Sequence, residues 1–339
     1  MSSIARRLLR QHGQLRLNIQ REFAAMEALR ADHPRFHLSM AAYEKELISA
    51  LQTNEQAITN IFGAPAQASA FERASEWAGF AHSDVYDGLG SLWRHLAKDW
   101  SSEGAKGSHL LRTRLVSLVV DECARWPDET VRVLVPGCGQ ARLAWALAAA
   151  TPRALVTGLE RSAPTISLAR HILQSKEAGS LAFHPWLDAF PNNASAESRC
   201  ARISVPDVHP TPQPNLVLES TDFMATGQHE GRPPNHLVLT HFFLDCVDDI
   251  PACMQRIHDE LVPGGVWIFA GPLHYFQGGG YEPRPAPALD HLLHLAADLG
   301  LEVEMQPQLM PAPYVRRPGA FLHEADWQVP LFTARRVPP

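Results

Sequence analysis

The sequence predicts an α/β protein: a mostly parallel sheet built from five βα repeats, closed by an antiparallel strand pair and preceded by a helical appendage. Three observations carry that prediction. Val131-Arg-Val-Leu-Val135 is a short, apolar, β-branched run of the kind buried on both faces of a parallel sheet, and it runs straight into Gly137 and Gly139. Further strand-like runs alternate with segments of helical periodicity as far as residue 305. Ahead of them, the first 90 residues show helical spacing and no strand signal. The expected division is therefore a helical region over 1–90 and a sheet domain over 91–339.

In chain order, Leu8, Leu15, Ile19, Phe23 and Met26 recur at helical intervals and make one apolar stripe from Ile4 to Leu29, ended by Pro34. A second helix is expected over 36–62 and a third over 66–79, with 79–90 as a looser joint. Residues 91–104 read as a helix stopped at Gly104, and 110–126 resume the helical period. After the first strand and its glycine turn, Leu143, Ala144 and Leu147 open a helix. Strand 154–159 ends in Glu160, and Ser162 caps a helix that tolerates Pro164 in its first turn. Residues 181–214 are rich in Pro, Asn and His without a clear period, so they read as a long functional loop. Strands are expected at 215–220, 236–240, 266–270 and 301–305, helices at 250–261 and 289–299, and a last antiparallel strand at 329–335.

Composition excludes several classes. The chain has 339 residues, 45% hydrophobic and 19% charged, enough for a large core and too apolar for disorder. No apolar run reaches the roughly 18 to 20 residues that cross a bilayer. A net charge of −6 gives no electrostatic reason to expect nucleic acid or an anionic membrane. Five scattered cysteines without C-x-x-C spacing indicate neither a disulfide framework nor a zinc knuckle, which fits a reducing, cytoplasmic setting. The first 21 residues carry five arginines and no acid, as a mitochondrial presequence does, but they read on into a long amphipathic helix. His291 and His294 share a helix face without further ligands, so no metal site is expected.

The chemistry concentrates at predicted strand ends, where open α/β sheets bind ligands. Gly137-x-Gly139 leads into a helix whose first N–H groups point back at the turn, and Glu160 at the next strand tip is placed for two ribose hydroxyls. Together they suggest an adenosine site. Dinucleotide enzymes need a small residue where this chain has Arg142, which argues against a nicotinamide or flavin cofactor. Asp222 and Phe223 follow one strand, and His241-Phe-Phe-Leu-Asp245 follows another. Asp222 as a strand-end cap and Asp245 as a helix N-cap are the plainer alternatives.

Seven stretches in order resemble the carnosine N-methyltransferase family, also called N2227-like proteins. They are Lys98-Asp-Trp-Ser-Ser-Glu-Gly104, Val135-Pro-Gly-Cys-Gly139 with Arg142-Leu-Ala-Trp145, His184-Pro-Trp-Leu-Asp-Ala-Phe-Pro-Asn-Asn193, Pro206-Asp-Val-His-Pro210, Asp222-Phe223, Phe242-Phe-Leu-Asp245, and Val262-Pro-Gly-Gly-Val-Trp-Ile268 with Gly271-Pro-Leu273. The resemblance implies a Rossmann-like class I methyltransferase sheet and methyl transfer from S-adenosylmethionine to the N-pi imidazole nitrogen of a histidine-containing dipeptide such as carnosine, giving anserine. A protein histidine, another small metabolite, or a non-catalytic binding role remain open beside it.

By the resemblance, Gly137, Gly139 and Arg142 lie at the cofactor's methionine end, with His95 and Lys98 at its carboxylate. Glu160 holds the ribose, Asp222 and Phe223 frame the adenine, and the backbone at His241 closes the pocket. Asp245 is the substrate-contacting acid, accompanied by His274, Tyr275 and Tyr314. The chain departs from the family pattern at His95 and Lys98, where Gln and Arg are usual, in the order of His274 and Tyr275, and at Trp327, where tyrosines are usual. The family also implies a homodimer, for which the long amphipathic helices offer apolar faces.

Overall fold

The computed structural model describes residues 2–27, 34–63, 88–225, 231–275, 286–313 and 326–338. The expected helix over 66–79, most of the 79–90 joint and Tyr314 lie outside them. Two compact units emerge, the first including Met1–Gly107 and Arg170–Thr211, the second including Ser108–Ala169, Pro212–Pro313 and Asp326–Pro339.

In the first unit, α1 (Ser3–Glu27) and α2 (Pro34–Phe62) carry the predicted stripes. Pro34 opens α2 rather than ending α1, as suits a residue whose missing N–H has no helical partner in a first turn. Ile19, Phe23, Leu47 and Leu51 pack together with Leu187. Next comes α3 (Leu89–Trp100), and α4 (Ser102–Cys123) begins in this unit and belongs to the second from Ser108 onward.

The break between them corrects the expected stop at Gly104. It falls at Ser101, whose hydroxyl accepts the Gly104 N–H at 3.0 Å and donates to the Ala97 carbonyl at 2.5 Å. Gly104 instead sits in the first turn of α4, where a Cβ would collide with the carbonyl oxygens of Ala97 and Lys98. Gly104→Ala, which gains about 1 kcal/mol in an ordinary helix, is therefore expected to destabilise this protein by about 1–3 kcal/mol. Chemical denaturation reads the sign directly.

Residues 181–214 are also more ordered than a loop. Strands β3 (Leu181–Phe183) and β4 (Ile203–Val205) pair antiparallel around a one-turn helix, α7, at Ala196–Arg199, the next helix after α6 (Ala163–Leu173). Three-residue strands are too short for a period to register in sequence. The insertion holds the middle and the C-terminal end of α3. Asp188 pairs with Arg94 at 2.6 Å, and the Asp207 N–H donates to the Trp100 carbonyl at 2.7 Å. Asn54 on α2 exchanges two hydrogen bonds with the His184 backbone, at 2.8 and 2.7 Å.

The second unit contains β1 (Arg132–Pro136), α5 (Arg142–Ala150), β2 (Leu155–Glu160), α6 from Ala163, β5 (Leu216–Ser220), β6 (Asn235–His241), α8 (Ile250–Glu260), β7 (Leu261–Ala270), α9 (Leu289–Asp298), β8 (Leu301–Pro313) and β9 (Asp326–Arg336). The sheet order is β5-β2-β1-β6-β7-β9-β8. The first five are parallel, and β9 runs antiparallel to both β7 and β8. This is the Rossmann-like class I methyltransferase sheet.

Alternation along each strand feeds two cores. Val133 and Val135 pack with Leu115, Val119 and Leu147, whereas Leu134 packs with Val238, Met254, Ile257 and Leu292. Two strands run furthest beyond the sequence reading. β8 continues past Met305 through Pro307, Pro311 and Pro313, which only an edge strand tolerates. β7 takes in Pro263-Gly264-Gly265 through a register shift opposite Asn235 and Leu237. The strand order reverses between β2 and β6 about β1, so the crevice at the carboxyl ends of β1 and β6 is the place for a ligand.

Candidate active site

The turn after β1 uses left-handed backbone three times, at Gly137 (φ +60°), Gly139 (φ +54°) and Ala141 (φ +60°). Gly137 has a second reason to lack a side chain, because a Cβ would run into the Phe243 ring. At Gly139 a Cβ would meet nothing within 4 Å, so its Cα faces open space. Arg142 starts α5, is buried, and lays its guanidinium 5.2 Å from the Trp145 ring centre.

Parallel register brings the neighbouring strand tips level with this turn. Glu160 pairs with Ser220, two residues before Asp222, and the Thr221 N–H donates to the Glu160 carbonyl at 3.1 Å. The Glu160 carboxylate accepts from the Gly139 N–H at 3.0 Å and the Ser162 N–H at 2.8 Å. A carboxylate offers about four acceptor positions, so one N–H to each oxygen fixes its plane and leaves it able to receive a vicinal diol. Asp222 accepts the Met224 N–H at 2.9 Å, which turns the chain and buries Phe223. Open space over Gly139 beside a pinned carboxylate fits the ribose of an S-adenosyl group, with Asp222 and Phe223 one strand further along.

Across the switch point, His241 ends β6 opposite Ala270, and its ring meets Phe242 edge-on at 4.9 Å. Phe242 is itself left-handed (φ +53°) and leads into a 3-10 turn, Leu244–Cys246, that carries Asp245. Asp245 is 3% exposed. Burial pushes its carboxyl up to about 6, against the hydrogen bonds and nearby charge of Cys246 and His274 that favour the ionised form. His274 follows β7 and packs its ring edge-on against Trp327 at 5.1 Å. Tyr275 (φ +46°) donates its hydroxyl to the Pro287 carbonyl at 2.7 Å, and burial together with the Asp245 charge pushes it up to about 12.

Thus Gly137, Gly139 and Glu160 meet on one side of the switch point with Asp222 and Phe223 beside them, and Asp245, His274 and Tyr275 meet on the other. His95 and Lys98 belong to α3 in the first unit; burial, with the charges of Lys98 and Arg94, lowers His95 to about 3, and Lys98 stands 3.9 Å from Asp99. Phe243 and Trp327 emerge as neighbours of the site that sequence reasoning did not assign to it. The aromatic doublet ahead of Asp245 was the available signal for Phe243. Among the described residues no His, Cys, Asp and Glu cluster could hold a metal, and no helix is long and apolar enough to cross a membrane.

A family model for carnosine N-methyltransferase matches residues 78–337. The chain belongs to the carnosine N-methyltransferase family. It is 26% identical over 259 residues to carnosine N-methyltransferase unmet of Drosophila melanogaster, covering 73% of this chain and 54% of that protein. It is 27% identical over 241 residues to carnosine N-methyltransferase of Schizosaccharomyces pombe, covering 65% and 63%. The carnosine N-methyltransferase of Rattus norvegicus is 25% identical over 235 residues, covering 67% and 58%. This family member therefore spans between about half and two thirds of the length of those relatives. Among solved structures, it is similar to magnesium protoporphyrin IX methyltransferase from Synechocystis with bound S-adenosylmethionine, at TM-score 0.42 and 14% identity over 75% of this chain and 94% of that one.

Proposed function

We propose that this protein transfers a methyl group from S-adenosylmethionine to the N-pi nitrogen of an imidazole, in a histidine-containing dipeptide such as carnosine. One observation carries the reading: a buried carboxylate, Asp245, stands at the ligand edge of the sheet, across the switch point from the glycine turn. When bound, the cofactor supplies an electrophilic methyl group on a sulfonium. Gly137, Gly139 and Arg142 are assigned its methionine portion, Glu160 the ribose, and Asp222, Phe223 and the His241 backbone the adenine. His95 and Lys98 are assigned its carboxylate by resemblance alone.

A neutral imidazole has one bare nitrogen and one N–H, and only the bare one is a nucleophile. Asp245 accepts the N–H, which selects the tautomer and turns the bare nitrogen outward. As that nitrogen becomes bonded to carbon, positive charge develops on the ring, and the dry carboxylate stabilises it more than water would. The unperturbed imidazole pKa of about 6.5 keeps the acceptor mostly neutral at pH 7, so orientation is the main task. His274 and Tyr275 are assigned to the acceptor side, and Tyr314 is carried by resemblance.

Incubation with labelled S-adenosylmethionine and a panel of carnosine, histidine, histidine peptides and unrelated small metabolites tests the reading. Label is expected on an imidazole nitrogen. A different small acceptor is the second reading, favoured by the Tyr275 hydroxyl being committed to Pro287, and label confined to a non-imidazole compound would establish it.

A further inference from the structure

We propose that Phe243 is a positioning residue that sets the place of Asp245 relative to the methyl donor, through a ring seated in the notch left by Gly137. The inference rests on the reading of Asp245 given above. Gly137 is short of a side chain where the Phe243 ring lies, so the first glycine of the turn serves an aromatic ring of the protein itself. The same ring meets Phe223 edge-on, with centroids 5.7 Å apart, and Phe223 in turn carries the Arg256 guanidinium 5.3 Å from its centre. Phe243 is therefore wedged between the two elements assigned to the donor, the turn after β1 and the tip of β5.

Its backbone has little freedom to absorb a change. Phe242, just before it, is held left-handed with its N–H on the Ala270 carbonyl at 2.9 Å. Just after it, the Phe243 carbonyl accepts the Cys246 N–H at 2.9 Å and closes the 3-10 turn. Only Leu244 separates the wedged ring from Asp245. The Cys246 thiol, 3.8 Å from the Asp245 carboxylate and 3.7 Å from the Phe242 carbonyl, ties the acid to the same turn. The groups facing that carboxylate are Cys246, His274 and Tyr275. A ring that fixes this turn fixes the acid, and a displacement of about 1 Å at a reacting centre can cost about 100-fold in rate.

The full-length chain carrying Phe243→Leu, with Phe243→Met as a second variant should the first not fold, tests this against a plain role as cofactor-pocket wall. With S-adenosylmethionine and carnosine, kcat is expected to fall about 10- to 100-fold, while calorimetric affinity for S-adenosylhomocysteine stays within about threefold. Combined with Asp245→Asn, the loss should not add. In the protein alone, carbon-13 NMR of labelled aspartate should show the Asp245 midpoint moving down toward the ordinary carboxylate range as the loosened turn admits water. An unchanged kcat, a loss wholly accounted for by S-adenosylhomocysteine affinity, or an unmoved Asp245 midpoint would overturn the role of Phe243. If the unaltered protein methylates no imidazole, the proposed function fails, and the NMR midpoint still decides the inference.

Discussion

Asp245→Asn is expected to lower turnover by about 10²- to 10³-fold, the usual range for losing one preorganised group that stabilises developing charge, and at the same time to stabilise the fold. The two effects share one cause. Burial lifts the Asp245 carboxyl from 3.8 to about 6, so the folded protein holds that proton more tightly than the unfolded chain does. The stabilisation from protonation is complete below the unfolded value near 3.9 and is lost as pH rises through about 6. At pH 8 the ionised acid therefore costs about 3 kcal/mol, at about 1.4 kcal/mol for each pKa unit. Asparagine removes that cost, so urea denaturation should give a more stable variant at pH 8 and little difference at pH 4.

Kinetics carry the matching signature. In kcat/KM, protonation of free imidazole near 6.5 and of Asp245 near 6 both reduce the rate. The acid limb should approach a slope of 2 in the wild type and 1 in the variant. A wild-type slope of 1 down to pH 5 would mean that the carboxylate is not required ionised.

Arg199→Met is expected to cost about 3 kcal/mol of folding stability, at the low end of the range for breaking a buried ion pair. The Arg199 side chain is 1% exposed and donates to both Glu22 carboxylate oxygens at 3.0 and 2.8 Å, to the Leu187 carbonyl at 3.0 Å and to the Tyr43 hydroxyl at 3.2 Å. Its guanidinium also lies 4.3 Å from the Phe190 ring centre. Methionine fills much of the volume and pairs with none of these groups. Because the Glu22 side chain keeps 25% exposure, water can recover part of its solvation, which holds the loss near the lower bound. Adding Glu22→Gln should recover part of it, since the stranded carboxylate is then gone. A denaturation midpoint unchanged in Arg199→Met would show that the clamp contributes nothing net.

The sheet was legible wherever apolar period and punctuation agreed. Val131–Val135, the glycines behind it and Glu160 all fell where the sequence placed them, because a strand buried on both faces is a continuous apolar run and a left-handed turn asks for glycine. Reading failed where the cause lies outside the local window. Ser101 breaks a helix through a hydroxyl that serves the turns on both sides, and Ser-Ser-Glu-Gly gives no sign of which serine does so. β8 keeps its prolines because it is an edge, a fact of topology rather than propensity. β3 and β4 become strands only by pairing with each other across 20 residues. At the candidate site, the acids and glycines stood out by residue type, whereas Phe243 and Trp327 are ordinary aromatic residues whose place depends on what they touch.

The contacts of Asn54 with His184 and of Glu22 with Arg199 span 130 and 177 residues of chain. At about 5–20 residues per second, a ribosome needs on the order of 10 to 30 s to deliver the second partner after the first. For that interval the nascent α1–α2 pair has no insertion to close it, and the core between its apolar stripes stands open to water on the side that Leu187 later covers. Biosynthesis of this protein is therefore a stage at which a chaperone that shields amphipathic helices has something to hold, and yield in a cell-free system should rise when one is supplied.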